Sequence, residues 1–572
     1  MRSRIVGLET EYALLHYPER SRHQKPLSGT EIFELMNGVM DEAGVVRLYE
    51  EKFYPETSGE PFANLESRRR YSMKKNRMFL SNGARFYLDT GDHPEYATPE
   101  CRSAKQVLAY DKAGERLVED LGIRTERRLA ADGNPGRVLI CKNNIDVRGN
   151  TYGCHENYLI PRRAARHSEG SYFKLVIRGL IPFLVTRQIF CGGGKVIAGN
   201  KLAYQISQRA DFIDSELSSD TTFRRGIVNS RDEPLGKIDK YRRLHILVGD
   251  SNLSELCTLL KTGSAMLVLR LIEEQGIGDG PAIEDPILAL REISQDPSCH
   301  IKVKLVDGSY ASPIEVQRYY LQRVRAHLEA EGALGERETS MILGHWERVL
   351  GKLESDAASL GREIDWISKR LVIDRFLGRH GVALGELNKW VYLIKRIKSL
   401  RLEESIFFQH RNNPDFDVME FVKSRVSQSD FIEIRRHIRY SEIEFDDYFR
   451  MHGIYHQLLK IDIVFHDIRR DRGLYYRMRD RGLAAGLGLA DFEAAVERAR
   501  SEPPRNTRAR IRGEFVKLLA KSRIKGAVNW DSISVHDVKL RKINLLSPFS
   551  SSHKGARELF GEIEALARLG GK

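Results

Sequence analysis

The chain has 572 residues, 41% hydrophobic and 30% charged, and a net charge of +13 from 92 basic and 79 acidic side chains. That is the composition of a large soluble globular protein of more than one core, and it excludes a disordered chain. The longest apolar runs, such as Leu180 to Val185, are too short to span a bilayer, and Glu9 and Glu11 interrupt the opening apolar stretch, against a secretory leader.

Six cysteines, at 101, 141, 154, 191, 257 and 299, form no CxxC pair. They point to a reduced cytoplasm rather than a disulfide framework or a zinc site. Basic charge invites a nucleic-acid reading, but the basic residues are scattered, and the densest clusters (Arg68 to Arg70 with Lys74-Lys75, and Arg435-Arg436) are short. Charge alone supports a basic nucleic-acid scaffold, and no nucleic-acid partner is expected.

In chain order, β-like runs at Arg4 to Ala13, Ala84 to Asp89, Arg137 to Lys142 and Leu244 to Val248 alternate irregularly with helical patterns at Ala104 to Leu121 and Ser254 to Glu274. This mixture predicts an α+β fold with a largely antiparallel sheet. Glu42 to Lys75 lacks periodicity and reads as a long loop, unusual in a compact protein unless functional. From about residue 315 the pattern turns helical, and Leu387 to Lys460 reads as helices exposed on one face, an inserted element. Pro503-Pro504 marks a boundary before a small basic C-terminal module.

The chemistry concentrates on two strands. Glu9 and Glu11, two apart, point the same way from the first strand. Two such carboxylates call for a cation between them, a hard divalent ion such as Mg²⁺, unless they lie on a solvated edge. Asn82-Gly83 is a tight-turn signal. The strand after it places Ala84, Phe86 and Leu88 on one face and Arg85, Tyr87 and Asp89 on the other. A guanidinium suits phosphate oxygens, and an Asp beside it serves as metal ligand or general base. His93 to Glu100 adds Glu95, but its prolines make strand parity unreliable.

Weaker signals follow. Tyr152 to Tyr158, with His155 and Glu156, offers a ligand or an orienting group, although a His–Glu pair also satisfies itself. Phe190 to Lys195 is glycine-rich but lacks P-loop spacing. Asn229 to Pro234 and Tyr241 to His245 carry Arg231 and Arg243, suited to anionic substrate groups or to an ordinary surface. The sheet face of Glu9, Glu11, Arg85, Tyr87, Asp89 and Glu95 fits an ATP–Mg²⁺ site.

At these residues the sequence resembles the Pup ligase and Pup deamidase/depupylase family, relatives of the glutamine-synthetase-like carboxylate–amine ligases. The stretches that carry the resemblance include Gly7 to Tyr12, Asn82 to Asp89, His93 to Glu100, Tyr152 to Leu159, Ser207 to Arg209, Thr222 to Pro234, Tyr241 to Asn252 and Asn506 to Phe515.

The resemblance implies a glutamine-synthetase-like catalytic domain over 1–480, with a sheet cradle packed by helices, a loop insertion near 42–78 and a helical insertion near 387–460. A small C-terminal domain would occupy 481–572. It implies Mg²⁺ ligation by Glu9, Tyr87 and Glu95, with Glu11 as a further ligand, and ATP contacts from Arg85, Thr98 and Trp530. Asp89 would be the catalytic base; Arg231, Arg243 and His155, read from the residues alone, are the candidates to meet substrate.

It implies two activities at one site. One is an ATP-dependent ligase joining the C-terminal glutamate of a Pup-like modifier to target lysines for a bacterial proteasome. The other is a depupylase cleaving that bond with nucleotide as bound cofactor. Asp89 to Thr98 and Glu363 to Trp366 look ligase-like; the Glu42 to Lys75 loop sits where depupylases carry an insertion. A small-molecule ligase of the glutamate–cysteine type matches less of the chain.

Overall fold

The structure is a computed structural model, and it describes residues 4–19, 26–49, 77–89, 91–146, 149–162, 169–199, 201–221, 223–275, 280–413, 415–522, 524–535 and 541–569. Thirteen strands occupy the first half: β1 (Val6–Glu11), β2 (Ala13–Pro18), β3 (Arg47–Tyr49), β4 (Arg77–Leu80), β5 (Arg85–Asp89), β6 (His93–Ala97), β7 (Gly136–Cys141), β8 (Cys154–Pro161), β9 (Lys195–Ala198), β10 (Leu202–Gln205), β11 (Ser215–Ser218), β12 (Gly226–Asn229) and β13 (Tyr241–Ile246). Nine of them form one sheet in the order β11-β12-β13-β8-β1-β6-β5-β4-β3. Among the described residues only β11 and β12 pair in parallel, so the α+β reading with a mainly antiparallel sheet holds.

Alternation of side chains fixes the two faces. Val6 and Leu8 of β1, Tyr158 and Ile160 of β8, and Leu244 and Ile246 of β13 are buried in one core with the helices Ala104–Ala131, Glu169–Thr186 and Glu255–Gln275. The helix Glu255–Gln275 is buried nearly all round: Leu256, Leu259, Leu260, Val268 and Leu271 are buried, and so are Glu255, Lys261 and Arg270. Such burial is worth roughly 1.5–3 kcal/mol per large aliphatic side chain. The odd-numbered residues of β1, β5 and β13 are left on the opposite face.

Part of the segment read as a loop is strand. Residues 47–49 form β3, and residues 77–78 belong to β4, which pairs with it from Arg47 opposite Leu80 to Tyr49 opposite Met78. The stretch between them, with Arg68 to Arg70 and Lys74-Lys75, lies outside the described residues. Asn82-Gly83 turns β4 into β5 as expected: Gly83 adopts φ +80, and the Asn82 side-chain oxygen accepts from Ala84 N at 3.0 Å.

The tract after residue 384 consists of helices at Leu384–Ser399, Glu403–Asn412, Val418–Arg425, Gln428–Ser441 and Tyr448–Val464. A short hairpin, β14 (Val303–Lys304) and β15 (Tyr310–Ala311), precedes it. At the C-terminal end the helices Ala509–Ser522 and Lys554–Leu569 pack on β16 (Gly526–Val528), β17 (Ser532–Val535) and β18 (Arg541–Asn544) around a separate core, into which β4 inserts Phe79.

A buried ion cluster docks this unit onto the sheet. Glu100 accepts from Arg508 Nε at 2.8 Å and from Arg512 Nη1 at 2.8 Å, and a Cβ on Gly83 would lie 2.9 Å from the Ala509 carbonyl oxygen. The close approach therefore requires glycine at that turn.

Candidate active site

Directly opposed residues of antiparallel strands share a face, and register lines up the predicted side chains in two rows. One row runs Phe79, Arg85, Ala97, Glu9, His155 across β4, β5, β6, β1 and β8. The next runs Tyr87, Glu95, Glu11 across β5, β6 and β1.

Asp89, two residues along β5 from Tyr87, joins the second row: the ligand oxygens of Glu11, Asp89 and Glu95 lie within 4.8 Å of one another, and the Tyr87 hydroxyl donates to Glu95. Burial first, then the neighbouring Asp89, pushes the Glu11 carboxyl up to about 8, even though Gly153 N–H and the guanidiniums of Arg209 and Arg225 draw it back. Glu95 rises well above the carboxylate range through burial, then through Asp89, Glu9 and Glu11. Carboxyls forced together in a buried row favour a bound cation, which removes both penalties. An all-oxygen donor set suits a hard ion such as Mg²⁺.

Glu9 stands apart from that cluster. Its two oxygens face Arg243 Nη2 at 3.0 Å, His155 Nδ1 at 3.6 Å and His245 Nε2 at 3.5 Å. Burial raises its carboxyl, but Arg243 and the two imidazoles outweigh burial and hold it well below the usual range. Burial, then Arg243, drives His245 down to about 3, and burial also lowers His155. The His245 ring is therefore neutral at ordinary pH.

Gly153 joins the two groups. Its N–H donates to Glu11 Oε1 at 2.6 Å, and a Cβ there would sit 2.4 Å from His155 Nε2 and 2.8 Å from Glu11 Oε1. His155 and Glu156 do not form a pair: Glu156 is on the core face, accepting from Arg187 Nη1 at 2.9 Å.

Arg85 lies over the ring of Tyr87 at 4.6 Å and of Phe79 at 5.7 Å. Phe79 meets Trp530 edge-on at 5.4 Å, and the Arg512 guanidinium sits 4.9 Å from the Trp530 ring. Trp530 thus reaches this wall across a sequence separation that only the docked C-terminal unit closes. The Thr98 hydroxyl accepts from Leu8 N at 3.0 Å and lies 3.3 Å from where a Cβ on Gly7 would stand, beside the row containing Glu9. Arg231 is exposed beyond β12 and forms no ion pair among the described residues. Thr222 falls outside them.

Two residues were missed as site candidates. Arg209 is buried, donates to the Tyr152 carbonyl at 2.5 Å and lies close enough to Glu11 to act on its charge. Asp250 orients the Arg209 backbone, accepting from the N–H groups of Gln208 at 2.8 Å and Arg209 at 3.1 Å. Asp250 also accepts from Gly193 N at 2.8 Å, so an amide of the glycine-rich stretch is spent on a carboxylate rather than a phosphate. The available signals were the matching stretches Ser207 to Arg209 and Tyr241 to Asn252, in which neither residue has an assigned role.

An oxygen-only acid row beside a guanidinium on an aromatic wall defines a face suited to a hard cation and a phosphate-bearing ligand. The profile of the Pup-ligase protein family matches residues 4–395 and 445–534. A Pup–protein ligase of Kineococcus radiotolerans is 37% identical over 480 residues, 84% of this chain and 88% of that one. A Pup–protein ligase of a Nocardioides species is 37% identical over 491 residues, 85% and 90% of the two chains.

Among solved structures, the complex between the prokaryotic ubiquitin-like protein Pup and its ligase PafA aligns with a TM-score of 0.72 at 28% identity, covering 99% of this chain and 92% of that one. The Pup ligase PafA in complex with ADP aligns with a TM-score of 0.67 at 29% identity, covering 90% and 97%. The chain belongs to the Pup-ligase family.

Among the described residues, no helix is long and apolar enough to cross a membrane.

Proposed function

We propose that this chain is an ATP-dependent Pup–protein ligase, joining the C-terminal glutamate of a small ubiquitin-like modifier to lysines of target proteins destined for a bacterial proteasome in the cytoplasm. The observation that carries this reading is the Glu11–Asp89–Glu95 cluster, with Arg85 on the strand of Asp89, in a chain of this family. A glutamate carboxylate is inert to amines. In the reaction its oxygen attacks the terminal phosphorus of ATP, the bond to ADP breaks, and a glutamyl phosphate forms. The lysine amine then attacks the acyl carbon, inorganic phosphate leaves, and the amine proton passes to Asp89 as general base.

Glu11, Glu95 and the Tyr87 phenol, with Glu9 in the adjacent row, are the donors for Mg²⁺. When bound, that ion neutralises phosphate charge. Arg85, Thr98 and Trp530 hold the nucleotide. Arg243 and His155 orient the carboxylate-bearing substrate, with Arg231 toward the periphery. The reading also divides the chain into a catalytic domain over 1–480 and a C-terminal domain over 481–572; the core of residues 511–563, joined by Phe79, supports a separate C-terminal unit, whereas Ala484, Phe492, Val496 and Ala499 pack in the cores of the main body.

The test is incubation of the purified protein with Mg-ATP, a modifier ending in glutamate and a lysine-bearing target. New conjugate with one ADP per bond is expected. Cleavage of preformed conjugate with no conjugate ever formed would sink the ligase reading and leave the depupylase.

A further inference from the structure

Outside the acid row, the described residues contain three other groups of closely approaching ligand atoms: Glu9 with His155 and His245, Glu274 with His327 and Glu331, and Glu403 with His452 and His456. The first belongs to the site above. The second already holds a cation, because Arg270 pairs with Glu331 and lies 3.8 Å from Glu274. The third has no arginine or lysine paired to its carboxylate among the described residues.

We propose that Glu403, His452 and His456 form a Zn²⁺ site that clips the helix Glu403–Asn412 to the helix Tyr448–Val464. His452 and His456 are four residues apart on one helix and so project from the same face. Glu403, in the first turn of the other helix, reaches between them: its Oε1 bonds His452 Nε2 and stands 3.4 Å from His456 Nε2. Ligands at about 2.0–2.1 Å around a tetrahedral Zn²⁺ stand roughly 3.3 Å from each other; the Glu403–His456 separation already matches that spacing, and all three ligand atoms lie within 4.8 Å of one another. His456 Nε2 is buried and makes no hydrogen bond, an orphaned polar atom of the kind a cation satisfies. Phe407 packs 4.6 Å from the His452 ring and Tyr448 5.6 Å from it, closing the group on its apolar side.

Two imidazoles and one carboxylate favour Zn²⁺, Co²⁺ or Ni²⁺ over Mg²⁺, so this site and the acid row sort metals between them. Residues 396–444, including Glu403, lie outside the family profile's match, whereas both histidines lie inside it. The metal therefore anchors a segment outside the family profile's match onto a helix inside it.

The experiment uses full-length protein freed of metal by chelation and kept in excess Mg²⁺ to fill the acid row. Co²⁺ titration should give the visible d–d bands of a low-coordinate site at one ion per chain, abolished by one equivalent of Zn²⁺. His452→Asn and His456→Asn, checked for folding by circular dichroism, should each weaken Zn²⁺ by more than the roughly 10–100-fold that loss of a mere outer partner costs. In the unmodified chain, Zn²⁺ should protect both histidines from diethyl pyrocarbonate, read by mass spectrometry, a measurement that needs no variant. Absence of the bands, equal modification of the two histidines with and without Zn²⁺, or unchanged binding by both folded variants overturns the proposal.

Discussion

Gly153→Ala isolates the junction between the two rows. Gly153 is not in the left-handed region, so alanine meets no backbone penalty and the perturbation is steric. The added methyl would stand 2.8 Å from Glu11 Oε1 and 2.4 Å from His155 Nε2, distances at which both side chains must move. The hydrogen bond most exposed to that movement is the 2.6 Å contact from Gly153 N to Glu11. With a cation bound in the acid row Glu11 would be ionised, and a hydrogen bond to a charged group is worth about 1.5–3 kcal/mol, each 1.36 kcal/mol being tenfold in rate. The expected cost is therefore about 10- to 150-fold in kcat/KM for conjugate formation, with a raised Mg²⁺ requirement. Thermal unfolding should move little, since the methyl faces the site rather than the core. The assay is steady-state conjugate formation on gels with ADP release followed in parallel, across a Mg²⁺ series. Wild-type kcat/KM and wild-type Mg²⁺ dependence in this variant would refute the role assigned to Glu11 and its amide.

Other outcomes follow from the same geometry. Asp89→Asn should keep nucleotide binding while lowering transfer by about 10²–10⁴-fold, the range of a lost general base; calorimetry with ATP and single-turnover transfer separate the two, and unimpaired transfer removes Asp89 from its role. Arg85→Lys replaces a planar fork stacked on two rings with a point charge, so the apparent ATP affinity should fall; an unaltered value counts against the phosphate contact.

Glu100 is held down at about 2, because Arg512 and Arg508 outweigh the burial that would raise it. A depressed carboxyl stabilises the fold above its unfolded value of about 4.3, and that contribution, roughly 3 kcal/mol at 1.36 kcal/mol per unit, is lost as pH falls from about 4.5 through about 2. Denaturant melts across that window should show the loss in wild type and its absence in Glu100→Gln. That variant should also be destabilised by about 3–5 kcal/mol at neutral pH, with two guanidiniums left buried and unpaired.

What the sequence revealed depended on local period. Alternation along β5 correctly separated Arg85, Tyr87 and Asp89 from Phe86 and Leu88, and spacing two placed Glu9 and Glu11 on one face. Register between strands has no such local signature. Glu11 opposite Glu95, and Glu95 opposite Tyr87, depend on how β6 enters through Pro94, which obscured its parity. Nor does spacing distinguish Glu9, neutralised by Arg243 some 230 residues away (Glu9 and Arg243 are 234 apart), from Glu11, which meets Asp89. Arg209 was illegible because its position is set by Asp250 and a carbonyl at Tyr152. The loop reading of residues 42–78 failed at its ends because β3 is only three residues long, too short to show a period. His452 and His456 fit the polar stripe of an amphipathic helix, and only the folded chain brings Glu403 against them.

The aromatic rim around Arg85 is assembled from Phe79 and Trp530, so it cannot exist until the last strands have been made. A chain still in synthesis carries its acids and its helical scaffold before Trp530 joins them. On the proposed role of Trp530 in holding nucleotide, a chain truncated before Gly526 should bind ATP more weakly than the full-length protein, as calorimetry would read.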